Sequence, residues 1–202
     1  MKKYFVTGIG TEIGKTIVSA IFTEALRADY WKPVQAGDLE NTDSMKVKRL
    51  ISNTESIIHP EAHLLTQPMS PHAAAEIDNV QLSWTSMNLP KTKGDLIIEG
   101  AGGLMVPINS TELMLDFASM HDFEVILVSR NYLGSINHTL MTYEVLKAKG
   151  CNIRGLVFNG ESNAETEKYI LEYTGLPCLV KIEEEEEINN ETIRHYAEKI
   201  VW

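Results

Sequence analysis

The stretch Thr7–Thr16, T-G-I-G-T-E-I-G-K-T, lies between a short apolar run, Tyr4-Phe5-Val6, and a helical segment that continues from Ile17 to Ala28. A glycine-rich turn between a strand and a helix restricts the architecture more than any other feature of this chain. It turns successive backbone N–H groups inward and adds the partial positive charge of a helix N-terminus, so it predicts a phosphate cradle. Lys15 adds a full charge suited to β- and γ-phosphates, and the Thr16 hydroxyl can reach Mg²⁺. The usual pattern places four residues between its first Gly and the Gly-Lys pair. Here that first position is Ile9, flanked by Gly8 and Gly10. The strand–loop–helix context carries the phosphate reading; the competing reading is a glycine-rich turn with an ordinary N-cap.

Strand and helix signals alternate after that loop. Strands are predicted over 3–7, 30–34, 95–98, 124–129, 153–158 and 177–182. Helices are predicted over 15–28, 43–52, from Pro71 with Ser70 as its N-cap, and over 80–92, 112–121, 134–149, 164–174 and 190–202. Residues 35–42 read as a polar loop, and 53–71 as loop-rich. The strands are continuous apolar runs, which predicts a parallel sheet covered on both faces. The expectation is an α/β fold, a P-loop NTPase-like parallel sheet with helices on both faces, as one domain over 1–202. No repeat or linker interrupts it.

Composition narrows the function classes. The net charge is −10. A nucleic-acid binder shows a basic patch or stripe, and none is legible, so no nucleic-acid partner is expected. No apolar run approaches a membrane span, and the start Met-Lys-Lys lacks the apolar length of a signal peptide. The two cysteines, Cys151 and Cys178, form no motif and suit a reducing compartment. A cytoplasmic protein with no membrane partner is expected.

In an open parallel sheet, ligands bind beyond the carboxyl ends of the strands. That rim collects the phosphate loop, Lys32, Asp43 one loop later, Glu99 with the second glycine loop Gly100-Ala101-Gly102-Gly103, the loop before the Gly134 helix, and Asn159. Thr16, Asp43 and Glu99 supply the hydroxyl and carboxylates that Mg²⁺ takes alongside substrate phosphates. An apolar strand ending in an acid is the usual second half of a nucleotide-triphosphatase site. Each residue alone has a plainer reading. Asp43 could N-cap its helix, Glu99 could be a turn acid, Lys32 a snorkelling surface lysine, and Asn159-Gly160 a turn dipeptide. The histidines show no metal-ligand spacing, and Glu183–Glu187 reads as a solvated charge run.

The chain resembles the dethiobiotin synthetase family. The matching stretches are Tyr4–Gly8 with Thr11–Thr16, Trp31-Lys32-Pro33-Val34, Asn41-Thr42-Asp43, Ser70-Pro71-His72, Glu99–Gly103 and Gly134–His138, in the family's order over about residues 1–160. The family shares the spacing of the phosphate loop. The resemblance implies ATP- and Mg²⁺-dependent ring closure of 7,8-diaminononanoate with CO₂ in biotin synthesis, by a homodimer. It implies catalytic roles for Thr11, Lys15 and Lys32. It places the nucleotide on Glu12, Ile13, Gly14, Lys15, Thr16, Ile17, Asp43, Glu99, Gly100, Ala101, Gly102 and Asn159. It places the metal on Thr16, Asp43 and Glu99. The substrate would meet Thr11, Lys32, Ala36 and Gly102, and Leu133, Gly134, Ser135, Ile136 and Asn137 would reach the partner's substrate.

Two departures stand out. Ala36 replaces the Ser or Thr common before Gly37, which removes one hydroxyl contact. Beyond Asn159 the resemblance fades, and the family's purine-reading segment is replaced by the glutamate run. The main rival is a partitioning-type or regulatory P-loop ATPase acting as a protein-binding switch. That class often carries a second lysine early in its phosphate loop, which this loop lacks. A small-molecule kinase would carry more arginines for a second phosphate group, and a binding-only module would not need both Asp43 and Glu99.

Overall fold

The computed structural model describes residues 1–202. In chain order the elements are β1 (Lys3–Gly8), α1 (Lys15–Leu26), β2 (Asp29–Trp31), β3 (Val34–Ala36), α2 (Asp43–Leu50), β4 (Ile58–His59), β5 (His63–Leu65), α3 (Pro71–Ile77), β6 (Leu96–Glu99), α4 (Met114–Met120), β7 (Glu124–Arg130), α5 (Ser135–Ala148), β8 (Asn152–Asn159), α6 (Ala164–Thr174), β9 (Cys178–Ile182) and α7 (Asn190–Ala197). Seven strands form one sheet in the order β4-β2-β6-β1-β7-β8-β9. Every pairing in it is parallel. The expected covered parallel sheet is therefore the architecture of this chain.

Its two faces bury separate cores. Tyr4, Val6, Tyr30, Ile97, Ile126 and Val128 face a layer containing Val18, Ile21 and Phe22 of α1, Val47 of α2, and Ile193 and Tyr196 of α7. Phe5, Trp31, Leu96, Ile98, Val125 and Leu127 face the opposite layer of α3 to α6, centred on Phe117. Successive strand residues point to opposite faces, so strands apolar on both sides must be covered on both sides.

Several sequence expectations are corrected. The strand expected over 30–34 is two strands in two sheets. β2 stops at Trp31, because Pro33 cannot donate to a ladder. The chain then joins a separate two-stranded parallel sheet, where β3 pairs with β5. Part of the polar loop 35–42 is thus strand, and the loop-rich stretch 53–71 contains β4 and β5. The helix expected over 80–92 is a single 3₁₀ turn, Trp84–Ser86. Its apolar residues are anchors rather than a stripe: Trp84 stacks on Phe117 at 4.4 Å, and its indole N–H donates to Leu113 O. α7 ends at Ala197, not Trp202. The residues beyond it fold back, with Trp202 against Tyr4 and Phe22.

Candidate active site

The phosphate loop follows the central strand β1. The Ile9 N–H donates to Val128 O at 3.1 Å, so Ile9 continues the strand pairing and no glycine is needed at that point of the pattern. Gly8 carries the constraint instead, since a Cβ there would meet Ile13 Cδ1 at 1.9 Å. Gly14 has φ +90°, and a Cβ on it would lie 2.2 Å from Asn159 Nδ2. Glycine at that point lets the chain turn into α1 beneath Asn159.

Lys15 and Lys32 are both buried, and both line one cavity of about 750 Å³. Lys15 Nζ donates to Gly10 O at 2.6 Å. Burial, with Lys32 adding repulsion, lowers its pKa to about 8. Lys32, just past β2, bridges Asp43 Oδ2 at 2.8 Å and Glu99 Oε1 at 3.0 Å. It also donates to Gly100 O at 3.2 Å. Burial opposes its charge, but the two carboxylates outweigh burial and raise its pKa. Asp43 mirrors this: burial favours its neutral form, and Lys32 and then Lys46 reverse that and hold its pKa near 2. The snorkelling reading of Lys32 therefore fails. So does the capping reading of Asp43, since Thr42 caps α2 by accepting from Met45 N–H.

Glu99 ends β6 and is 1% exposed. Its Oε1 accepts from Thr16 Oγ1 at 2.9 Å and from Lys32, and its Oε2 accepts from Tyr30 OH at 2.8 Å. Two carboxylates thus hold a cationic group beside the phosphate loop, with the Thr16 hydroxyl on one of them. Oxygen donors of this kind, too few for an all-protein cage, fit Mg²⁺ bound jointly with phosphates. His, Cys, Asp and Glu form no denser metal-holding group in the chain.

The cavity brings together Thr11, Glu12, Gly14, Lys15, Thr16, Lys32, Ala36, Asp43, Glu99, Ala101 and Gly102. Other residues expected at the site lie outside its lining. Ile13 is buried against Gly8, and a Cβ on Gly100 would meet the Phe5 ring at 2.9 Å. Ile17 packs with the α1-side core. Asn159 donates to Ile13 O at 2.8 Å. Leu133, Gly134, Ile136 and Asn137 line a different cavity of about 830 Å³ next to α6. Ser135 is buried at the start of α5.

The sequence reading missed Gln35, Lys46, Tyr30 and the wall Pro68–Pro71. Gln35 Oε1 accepts the Asp43 N–H at 3.1 Å, and Lys46 pairs with Asp43 Oδ1 at 3.3 Å. The Asp43–Lys46 spacing was a legible signal, since residues three apart share a helix face. The wall had only the Ser70-Pro71-His72 motif to mark it.

A family model described as an AAA domain matches residues 2–192. Among similar proteins, an ATP-dependent dethiobiotin synthetase of Christiangramia forsetii is 54% identical, covering 98% of this chain and 95% of its own length. One of Cytophaga hutchinsonii is 53% identical over 99% and 97%. One of Chlamydia pneumoniae is 45% identical over 100% and 91%. Among solved structures, the septum site-determining protein MinD of Pyrococcus horikoshii, complexed with Mg-ADP, superposes with a TM-score of 0.61. It is 16% identical and covers 98% of this chain and 95% of its own. That likeness is one of fold.

Proposed function

Because the chain belongs to the ATP-dependent dethiobiotin synthetases, ligases of biotin biosynthesis, we propose that the cavity beside its phosphate loop closes the ureido ring of dethiobiotin from 7,8-diaminononanoate, CO₂ and ATP. One amine adds to CO₂ and loses a proton, giving a carbamate. A carbamate oxygen attacks the γ-phosphorus, and ADP leaves. The second amine attacks the carbonyl carbon of the resulting carbamic–phosphoric anhydride; phosphate leaves, a proton is lost, and the ring closes. This sequence needs positioning and charge stabilisation more than covalent help.

The observation that carries the reading is the Lys32 ammonium held between Asp43 and Glu99 within one cavity with Lys15 and Thr16. Lys15 would hold the β- and γ-phosphates, and Lys32 the carbamate and the phosphoryl group in transfer. Thr11 and Glu12 would line the site, with Gly14 to Ile17 and Gly100 to Gly102 enclosing the nucleotide phosphates and Asn159 meeting the base. Thr16, Asp43 and Glu99 would hold Mg²⁺, which neutralises charge on the triphosphate.

Gly134 to Asn137 lie away from this cavity, which supports a homodimer in which the loop serves the partner's site. Its helix-opening N–H groups suit the substrate carboxylate. The chain would act as one domain, 1–202, in the cytoplasm; no helix is long and apolar enough to cross a membrane. The test is phosphate release from ATP. Diaminononanoate with bicarbonate should accelerate it strongly, and release that ignores both would point to a regulatory ATPase.

A further inference from the structure

We infer that the Tyr30 hydroxyl is a positioning group that fixes the rotation of the Glu99 carboxylate, so that Oε1 faces Thr16 and the phosphate loop. The inference rests on the reading of Thr16, Asp43 and Glu99 as the metal-side oxygens. Glu99 divides its partners unevenly. Thr16 and Lys32 both donate to Oε1, while Oε2 receives Tyr30 OH at 2.8 Å. The first two face the cavity; Tyr30 is fully buried and is absent from the cavity lining. It therefore touches no ligand and acts through Glu99.

The sheet register produces the contact. Tyr30 pairs with Ile97 across β2 and β6. Glu99 lies two residues past Ile97, and Lys32 two past Tyr30, so all four project toward the face that α1 covers. The phenol also differs from its neighbours in charge. Lys32 orients Glu99 but neutralises it, whereas Tyr30 donates without a charge. With metal and phosphoryl oxygens bound, Lys32 and the Thr16 oxygen would be shared with them, whereas Tyr30 would not. Tyr30 is then the contact that holds the carboxylate with its full charge available to a cation. A buried carboxylate oxygen that loses its donor is penalised.

Mn²⁺ is the probe, its affinity read by electron paramagnetic resonance on protein saturated with ADP. Wild type, Tyr30→Phe, Glu99→Gln and the double variant are compared. Tyr30→Phe should weaken Mn²⁺ by roughly tenfold, the scale of one hydrogen bond to a charged group. It should lower kcat and leave KM for diaminononanoate unchanged. The double variant should bind no more weakly than Glu99→Gln alone. Two results would overturn the inference: Tyr30→Phe within twofold of wild type while Glu99→Gln loses affinity, or losses that add in the double variant, as a purely structural phenol gives. Native Mn²⁺ affinity in Glu99→Gln would overturn the metal reading of Glu99 and the inference with it. Tyr30→Met, which also lacks the donor, serves if the Phe variant does not fold. Failure of both to fold would make the phenol structural and also overturn the inference.

Discussion

At the residue scale, the site concentrates charge where water is scarce. Lys15→Ala and Lys32→Ala should each lower turnover by roughly 10²–10³-fold, the scale of one preorganised electrostatic group. Near-native turnover in Lys32→Ala would misplace that side chain. The two variants should differ in stability. Lys32 is 5% exposed in its side chain between carboxylates that are 18% and 1% exposed. Removing it leaves uncompensated buried charge, which costs about 3–5 kcal/mol. Thermal melts should show Lys32→Ala well below wild type, with Mg²⁺ recovering more of the loss in the variant than it adds to wild type. With Lys15 on the phosphates, as proposed, nucleotide binding should depend on pH. Its pKa of about 8 in the free protein lies below the ordinary lysine value, so the free site holds a neutral amine above pH 8. Bound phosphates favour the ammonium. Binding above pH 8 should therefore take up a proton and weaken as pH rises, whereas near pH 7 little proton uptake occurs. Calorimetry in buffers of different ionisation enthalpy measures this directly; no proton uptake at pH 8.5 would assign the pH dependence elsewhere.

At the element scale, the cavity lining comes mainly from the loops at the carboxyl ends of the strands, and β9 contributes none of it. The segment after Ile182 exposes Glu183 to Glu187. Glu184 pairs with Arg130, and Glu185 accepts from Tyr196 OH. Base specificity comes from buried donors and acceptors left unpaired by the wrong ligand. Five exposed carboxylates do not supply that. Nucleotide affinity should come mainly from the phosphate loop and Mg²⁺, so GTP and CTP should support the reaction within about tenfold of ATP, a difference near 1.4 kcal/mol. Comparison of kcat/KM for the three nucleotides decides it, and a thousandfold preference for ATP would reveal a base pocket. Trp202, beyond the end of α7, serves packing instead. Its ring meets Tyr4 at 5.7 Å and Phe22 at 5.5 Å, tying the stretch after α7 to β1 and α1. Trp202→Ala should cost about 1–2 kcal/mol, from two aromatic pairs on a half-exposed ring. At this size that lowers the melting temperature by roughly 2–8 °C, with kcat unchanged at 25 °C.

At the scale of the whole molecule, the separation of the two cavities makes the proposed homodimer testable. Lys15 lines one and Asn137 the other. Mixing inactive Lys15→Ala chains with inactive Asn137→Ala chains should restore part of the activity, because each heterodimer would contain one intact site. No recovery after verified subunit exchange would count against a shared site.

The local chemistry of this chain determined its layers. Apolar runs alternating with helical segments point to a covered parallel sheet, and a glycine-rich loop entering a helix suits an anion. Thr16, Lys32, Asp43 and Glu99 were legible because each sits at a strand end or helix start that local pattern marks. Three things were decided only by tertiary structure. Pro33 limits how far the run 30–34 can pair, but the partner of the residues after it, β5, is a matter of pairing across a distance in sequence. Trp84 and its neighbours read as a helix because periodicity records apolar positions and not what they pack on; Phe117 and Leu113 held them in a turn. Tyr30 read as one more apolar strand residue. Its hydroxyl acquires meaning from the parallel register that brings Ile97, and hence Glu99, alongside it. Propensity and spacing act within a few residues, whereas register and burial are properties of segments dozens of residues apart, and they are settled only when the whole sheet closes around its core.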